Sequence, residues 1–125
     1  MYISILPEQI RLFHDIVLDG DGGLAGEKDP GYIDFIAEKP FQESFGHELY
    51  PGLFLKAATY MHGIITAHPF FDGNKRTGVL TCLAFLDLNH RPLQCDPEEL
   101  FRVAIAVATH ELNVEQLAAW LERRT

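Results

Sequence analysis

The sequence predicts an all-α protein, a bundle of about six helices folded as a single domain over residues 1–125. Apolar residues recur at three- and four-residue spacing along most of the chain, which is typical of amphipathic helices. Proline and acidic residues precede these stretches, and glycine or proline follows them. The alternating pattern typical of strands is confined to Tyr2–Leu6, which is too short to change the class.

Two helices are predicted in the first third of the chain. Pro7 begins the first helix, and the Asp-Gly-Asp-Gly-Gly run at 19–23 ends it. Four glycines fall between Gly20 and Gly26, so this stretch is expected to form a flap without regular structure. Asp29-Pro30 opens a second, short helix, which Lys39-Pro40 stops.

The middle of the chain predicts the two most apolar helices. Residues 41–50 show no clean period and are expected to form an irregular connection. Pro51 starts a third helix with a wide apolar stripe that ends near Ala67. A fourth helix from Arg76 to Asn89 is apolar on nearly all sides, which predicts a buried position in the centre of the domain.

Two start signals define the last two helices. Asp96-Pro97-Glu98-Glu99 resembles a capping box with proline in the first turn, and predicts a helix through about Thr109. Asn113-Val114-Glu115-Gln116 repeats this signal before an amphipathic helix. The closing Arg123-Arg124 pair is expected to be a solvated helix end.

Composition narrows the classes of function. The formal net charge is −8, and no cluster of cations offers a surface for direct nucleic-acid binding. No apolar run is long enough to span a bilayer and no signal segment is visible, so a cytoplasmic protein without a membrane partner is expected. Two cysteines form neither a disulfide framework nor a metal-ligand pair, and Cys82 is expected in the core.

Residues 68–78, His-Pro-Phe-Phe-Asp-Gly-Asn-Lys-Arg-Thr-Gly, lie between the third and fourth helices. Their order suggests a loop that delivers polar groups to the N-terminus of a buried helix. Such an end binds anions, because its free backbone N–H groups point outward and the helix dipole favours negative charge.

The residue types in this loop suit phosphoryl transfer. His68 can take a proton from an attacking hydroxyl near neutral pH, and Asp72 is a hard oxygen ligand for Mg²⁺ carried by a nucleotide. Gly73 allows close approach of phosphate oxygens, and Asn74 can cap the helix and donate to an anion. Lys75 and Arg76 supply positive charge where phosphoryl transfer accumulates negative charge.

Each of these residues also has a plain structural interpretation. A lone histidine beside an apolar helix is often structural, and Asp-Gly-Asn is a turn signal. However, Lys75 and Arg76 in a first helical turn oppose the helix dipole unless an anion binds there. This local conflict favours a functional interpretation.

The stretch from His68 to Arg76 resembles the signature of the Fic/Doc superfamily, His-x-Phe-x-Asp/Glu-Gly-Asn-Gly-Arg-x-x-Arg. Two residues depart from it: Lys75 replaces a glycine, and Val79 replaces the final arginine. Both departures resemble the Doc (death-on-curing) branch. The flap, with Gly22-Gly23-Leu24-Ala25-Gly26 and Asp29-Pro30-Gly31, is also similar to that of Doc proteins.

The resemblance implies a Fic fold, in which the active loop precedes a central buried helix. It also implies a toxin of a toxin–antitoxin module that transfers the γ-phosphate of ATP to a protein hydroxyl, with elongation factor Tu as target and an antitoxin as inhibitor. The implied roles are general base for His68, Mg²⁺ ligand for Asp72, loop anchor for Phe70, and ATP phosphate binding for Gly73, Asn74, Lys75 and Arg76.

Three other functions stay open. A Fic-type adenylyltransferase would transfer AMP instead, and a non-catalytic Fic-fold module would only bind a nucleotide or a partner. A metal-dependent phosphohydrolase using His68 and Asp72 is the third, although a persistent metal site needs more ligands than this loop provides. The other histidines show no ligand spacing, so no metal is assigned to them.

The resemblance also raises the question of inhibition within the chain. Many Fic proteins carry an inhibitory Ser/Thr-x-x-x-Glu-Gly/Asn helix, and residues 4–9 match only its Ser and Glu. Pro7 would interrupt such a helix, so inhibition is expected from a separate antitoxin. The glycine-rich flap is either an exposed linker or a surface on which an extended target segment docks by backbone pairing.

Overall fold

Six α-helices and one small hairpin make up the computed structural model, which describes residues 1–125. The all-α class and the number of helices are therefore confirmed. In chain order the helices are α1 (Pro7–Asp21), α2 (Pro30–Glu38), α3 (Leu53–Ala67), α4 (Asn74–Leu88), α5 (Pro97–Ala108) and α6 (Val114–Arg123).

Helix starts follow the local sequence closely. Proline occupies the first position of α1, α2 and α5, where its missing N–H costs no hydrogen bond. Asp96 caps α5 by accepting from the Glu98 N–H at 3.0 Å, but the full capping box predicted there does not form. The full box forms at α6, where Asn113 and Gln116 exchange side-chain and backbone hydrogen bonds.

Two predicted starts were displaced by two residues each. Helix α3 begins at Leu53 rather than Pro51, because Gly52 adopts a φ of +89° and keeps the preceding residues outside the helix. Helix α4 begins at Asn74 rather than Arg76, directly after Gly73 with its φ of +79°. The earlier start of α4 brings the polar motif into its first turn.

A hairpin occupies part of the connection that was predicted to be irregular. Strands β1 (Glu43–Ser44) and β2 (His47–Glu48) pair antiparallel around a two-residue turn. Both turn residues, Phe45 and Gly46, have positive φ angles, as a type I′ hairpin turn requires. The strands are too short and too polar for a periodic pattern to reveal them.

Helix α3 runs through the middle of the hydrophobic core and packs against α2, α4, α5 and α6. Its closest neighbour is α4, and Gly78 permits this approach: a Cβ there would lie 2.9 Å from Ile65 Cγ1. Helix α4 is less enclosed than its composition predicted. On the side away from α3, Val79, Leu80 and Leu83 stay half-exposed and line an apolar groove of about 240 Å³ beside α5.

The residues before α1 form neither helix nor strand and are fixed to the bundle. Ile5 is buried, and its backbone N–H donates to the Tyr60 hydroxyl at 2.9 Å. The Asn89 side chain accepts from the N–H of Ile3 and donates to its carbonyl. No inhibitory helix therefore forms at residues 4–9, since α1 begins only at Pro7.

None of the six helices has both the length and the apolar character that crossing a membrane requires.

Candidate functional site

The predicted loop connects α3 to α4 by a sharply turning path. Helix α3 ends at Ala67, and His68 follows in the left-handed region with a φ of +50°. Pro69 prevents the helix from continuing, and Gly73 makes the second left-handed step before α4. Few non-glycine residues adopt a positive φ, so the backbone at His68 is a special conformation.

Asn74 holds this loop closed from inside. Its side-chain amide donates to the Phe70 carbonyl at 2.9 Å and accepts from the Phe70 N–H at 3.0 Å. The predicted helix-capping role of Asn74 is wrong: Gly73 is the N-cap residue, and Asn74 is already the first helical residue. The amide oxygen and one amide N–H are thus used within the loop, and the backbone N–H of Asn74 stays available for an anion.

Phe70 points inward, as predicted, and only 1% of it is exposed. Its ring stacks on the ring of His14 from α1, with centroids 3.7 Å apart and planes 5° apart. The loop is therefore attached to α1 as well as to its own helix.

His14 is the contact that sequence reasoning missed. The residue is buried, and its Nε2 lies 2.8 Å from the Asp72 backbone carbonyl. The sequence does predict that His14 is buried, because Ile10, His14 and Val17 follow each other at four- and three-residue spacing on one face of α1. A histidine on an apolar stripe needs a polar partner, and this partner proves to be the loop.

The glycine-rich flap lies against the loop. Glu27 pairs with Phe70 in an antiparallel bridge, and the Lys28 N–H donates to the Pro69 carbonyl at 2.8 Å. The Leu24 N–H donates to the Asp72 carboxylate at 2.7 Å. The flap is thus exposed, as a linker would be, but it is bonded to the loop; docking of a target segment on it stays a prediction.

An ion pair fixes the far end of the flap to α1. Arg11 Nε lies 2.8 Å from the Glu27 carboxylate, and this hydrogen bond raises the pKa of Arg11 above its usual range. Glu27 thus contacts α1 through its side chain and the loop through its backbone.

A cavity of about 360 Å³ lies between the start of the flap and the first turn of α4. Five of the six predicted site residues line it: Asp72, Gly73, Asn74, Lys75 and Arg76. Val17, Asp21, Gly22 and Gly23 complete the lining.

The electrostatics of this cavity are mixed. The backbone N–H groups of the N-cap and the first three residues of α4 have no intrahelical acceptor, so the helix end attracts anions. Lys75 is exposed, while Arg76 Nε lies 3.1 Å from the Asp21 carboxylate. Arg76 thus pairs with the C-terminal end of α1, and Asp72 accepts a hydrogen bond from the flap.

His68 does not line this cavity. It lies at the opposite end of the loop, beside Pro69, and its side chain is exposed.

The donor set suits a metal ion that arrives with its own ligands. No three His, Cys, Asp or Glu side chains come together to hold a metal. Asp72 offers a carboxylate to the cavity, and the second carboxylate there, that of Asp21, is paired with Arg76. This set fits Mg²⁺, since that ion is commonly bound by one or two carboxylates together with substrate phosphates and water.

Known proteins resemble the chain over most of its length. The sequence profile of the Fic/DOC family matches residues 2–86. "Protein kinase doc" of Escherichia phage P1 is 34% identical over 119 residues, covering 95% of this chain and 93% of that protein. "Toxin Doc" of Mycolicibacterium smegmatis (strain ATCC 700084 / mc(2)155) is 30% identical over 115 residues, covering 86% of each.

The family profile includes the flap and the whole loop, and the two relatives extend the match to nearly the full chain. Both relatives carry the name Doc, which is the branch that Lys75 and Val79 predicted from the sequence. The chain belongs to the Fic/Doc family, in its Doc branch.

Proposed function

We propose that this protein transfers the γ-phosphate of ATP to a hydroxyl of a protein target and acts as the toxin of a toxin–antitoxin module. The observation that carries the proposal is the cavity at the first turn of α4, where Lys75, Arg76 and free N–H groups adjoin the Asp72 carboxylate. The names of the two relatives, a protein kinase and a toxin, support the same proposal.

The proposed binding of ATP uses the cavity side of the loop. The phosphates would lie against the backbone N–H groups of Gly73 and Asn74, with Lys75 and Arg76 offsetting their charge. Mg²⁺, held by Asp72, would neutralise charge on the phosphate oxygens. The side chain of Asn74 contributes indirectly, by keeping Phe70 and the loop in place.

His68 supplies the proposed base. Its exposed imidazole is accessible to a hydroxyl on a separate protein, which a buried histidine would not be. The hydroxyl oxygen attacks the γ-phosphorus as its proton passes to His68, and ADP leaves. The flap lies next to the loop, where an extended target segment could pair with its backbone.

The partners follow from the same proposal. We infer elongation factor Tu as the target and a separate antitoxin protein as the inhibitor. A separate inhibitor agrees with residues 4–6, which lie outside any helix and provide no inhibitory helix.

Labelled ATP tests the reaction. Purified protein is incubated with Mg²⁺, elongation factor Tu, and ATP labelled at either the α- or the γ-phosphate. Label from the γ-position alone is expected on the target. Label from the α-position alone would instead make the protein an adenylyltransferase.

His68→Asn is the control for the proposed base. Asparagine tolerates the left-handed backbone of His68 better than alanine does, so the loop is expected to keep its conformation. Loss of a general base lowers rates by about 10²–10⁴-fold, so label transfer is expected to disappear while ATP binding persists.

Lys75→Gly tests the choice between the two transferred groups. In the superfamily signature a glycine at this position accompanies AMP transfer, and a lysine side chain fills the space that glycine leaves beside the helix start. The variant is expected to shift label on the target from the γ- towards the α-position. Unchanged γ-transfer in a folded variant would show that Lys75 does not set the nucleotide orientation.

A non-catalytic nucleotide-binding module is the second candidate. It is favoured by the contacts of Asp72 and Arg76, which bond to the Leu24 N–H and to Asp21 within the chain. If binding alone matters, His68→Asn leaves every cellular effect of the protein intact. A cellular effect that depends on His68 would exclude this candidate.

A further inference from the structure

We propose that His14 is a positioning residue for the active loop, holding the Asp72–Gly73 peptide so that the Asp72 carboxylate and the first turn of α4 face the cavity. The inference rests on the proposed function only in that it names what aligns the residues of that site. His14 itself contacts the loop and does not line the cavity.

The hydrogen bond has a definite direction. A backbone carbonyl oxygen can only accept, so Nε2 of His14 must carry a proton and donate to the Asp72 carbonyl at 2.8 Å. The bond forms at a buried side chain, where an unpaired polar group is costly. Phenylalanine could fill the same space, but it would leave the Asp72 carbonyl without this partner.

The bond acts on the backbone of Asp72, which makes no other hydrogen bond, although the Asp72 side chain accepts from the Leu24 N–H. The Asn74 amide fixes both backbone groups of Phe70, and α4 begins after Gly73. Between these points, the Phe71 N–H donates to the Gly26 carbonyl at a long 3.4 Å. His14 holds the next residue, Asp72, and connects it to the packed helix α1.

His14 also packs closely against two residues of the loop. The ring of His14 stacks on Phe70 and also lies close to Gly73, where an added Cβ would be 3.5 Å from His14 Cδ2. The same Cβ would approach Val17 Cγ1 to 3.2 Å. Helix α1 thus lies directly against the loop, and His14 contributes both the stacked ring and the donor at this junction.

Two substitutions separate the ring from the donor. His14→Phe keeps an aromatic ring beside Phe70 and removes the N–H. His14→Gln removes the ring but places an amide N–H near the position of Nε2. His47→Phe, on the exposed strand β2, is the matched control for replacing a histidine by phenylalanine.

Amide hydrogen exchange of the full-length protein without nucleotide gives the first measurement. His14→Phe is expected to speed exchange in peptides covering residues 69–76 and to leave the other helices protected. His14→Gln is expected to restore protection towards that of the wild type. Unchanged exchange in a folded His14→Phe variant overturns the proposal, as does equally fast exchange in both variants.

Kinetics with ATP and the protein target give the second measurement. Loss of one buried hydrogen bond is expected to lower kcat about tenfold in His14→Phe, with His14→Gln within about threefold of wild type. KM for the protein target is expected to stay unchanged, because His14 is buried and cannot contact the target itself. A drop in kcat that glutamine fails to restore contradicts the donor role.

The two measurements distinguish failure of the inference from failure of the proposed function. If the wild type transfers no phosphate, the proposed function fails, while the exchange comparison still decides the role of His14. If His14→Phe does not fold, His14→Gln carries the test alone. Native-like exchange at residues 69–76 supports the proposal in that case, and faster exchange there overturns it.

Discussion

At the scale of single residues, the loop uses its polar side chains differently from what their types suggest. Asn74 has the donors and acceptors of a helix cap or an anion ligand, yet both are bonded to Phe70. The sequence specifies an amide at this position but not which backbone groups lie within its reach. That depends on two left-handed steps, at His68 and Gly73, which no periodic pattern predicts.

For His14 a periodic pattern does exist, but it predicts only that the residue is buried and not what it contacts. Its place on the apolar stripe of α1 predicts a buried histidine. Its partner, the Asp72 carbonyl, is 58 residues away along the chain. A contact of that range depends on how the helices pack, so local sequence cannot supply it.

The two cysteines are expected to differ sharply in reactivity. Cys82 lies in the core as predicted, and burial raises the pKa of its thiol to about 12. Because the thiolate is the nucleophile, Cys82 is expected to be inert at pH 8. Half-buried Cys95 also has a raised pKa, through desolvation and the nearby Glu99, so it is expected to react slowly.

Titration with a thiol reagent measures this difference. The native protein is expected to consume one equivalent of reagent at pH 8, and the unfolded protein two. Cys95→Ser should leave no reactive thiol in the native state. Rapid modification of both cysteines in the native protein would contradict the burial of Cys82.

At the scale of helices and strands, starts with capping or proline signals were the most predictable features. The starts of α1, α2, α5 and α6 are set by residues adjacent in sequence, so local chemistry suffices. The hairpin was missed because its two-residue strands show no periodic pattern, and a side chain of α3 holds the segment that carries it. Lys56, buried in α3, donates to the Glu48 carboxylate at 2.7 Å and to the Tyr50 carbonyl at 2.6 Å.

The C-terminal end of α6 is a second correction of this kind. Arg123-Arg124 was expected to be a solvated helix end. Arg123 is exposed, but Arg124 Nη2 lies 2.6 Å from the Glu99 carboxylate of α5. The predicted capping box at Asp96 needed the same Glu99, whose carboxylate is bonded to Arg124 instead. One contact between two helices thus accounts for both differences.

The packing of α3 against α4 is expected to be sensitive to one methyl group. At Gly78 an added Cβ would lie 2.9 Å from Ile65 Cγ1 and 3.2 Å from the Met61 carbonyl oxygen. Backbone at such a distance cannot easily move away. Gly78→Ala is therefore expected to lower the free energy of unfolding by about 1–3 kcal/mol, the usual cost of overpacking.

Gly20→Ala is the matched control, because Gly20 is also helical and a Cβ there meets nothing within 4 Å. Alanine is the better helix former, so this change is expected to stabilise the protein by about 0.5–1 kcal/mol. Denaturant unfolding followed by circular dichroism measures both variants. A Gly78→Ala protein as stable as the wild type would mean that α3 and α4 are farther apart than described.

At the scale of the whole molecule, an acidic protein surrounds a small cationic site. The formal net charge is −8, yet Lys75 and Arg76 stand together at the cavity. A phosphate ligand is therefore repelled by most of the surface and attracted at one place. Asp21 is the acidic side chain that lowers this attraction most directly, because it lies 3.1 Å from Arg76 and lines the same cavity.

Asp21→Asn is expected to tighten the binding of Mg²⁺ and ATP by removing a negative charge that competes for Arg76. The pair is largely exposed, and such pairs contribute up to about 1 kcal/mol, so an increase of about two- to fivefold in affinity is expected. Calorimetric titration at low salt measures it. The difference should shrink as salt rises, since exposed charges are screened.

Asp19→Asn separates a local effect of Asp21 from the change in total charge. Asp19 is exposed on the same helix and does not line the cavity, so its variant has the same net charge but keeps the pair with Arg76. Tighter binding in both variants would point to the overall charge of the protein. Weaker binding in Asp21→Asn alone would reverse the interpretation, because Asp21 would then hold Arg76 in the orientation that the phosphates need.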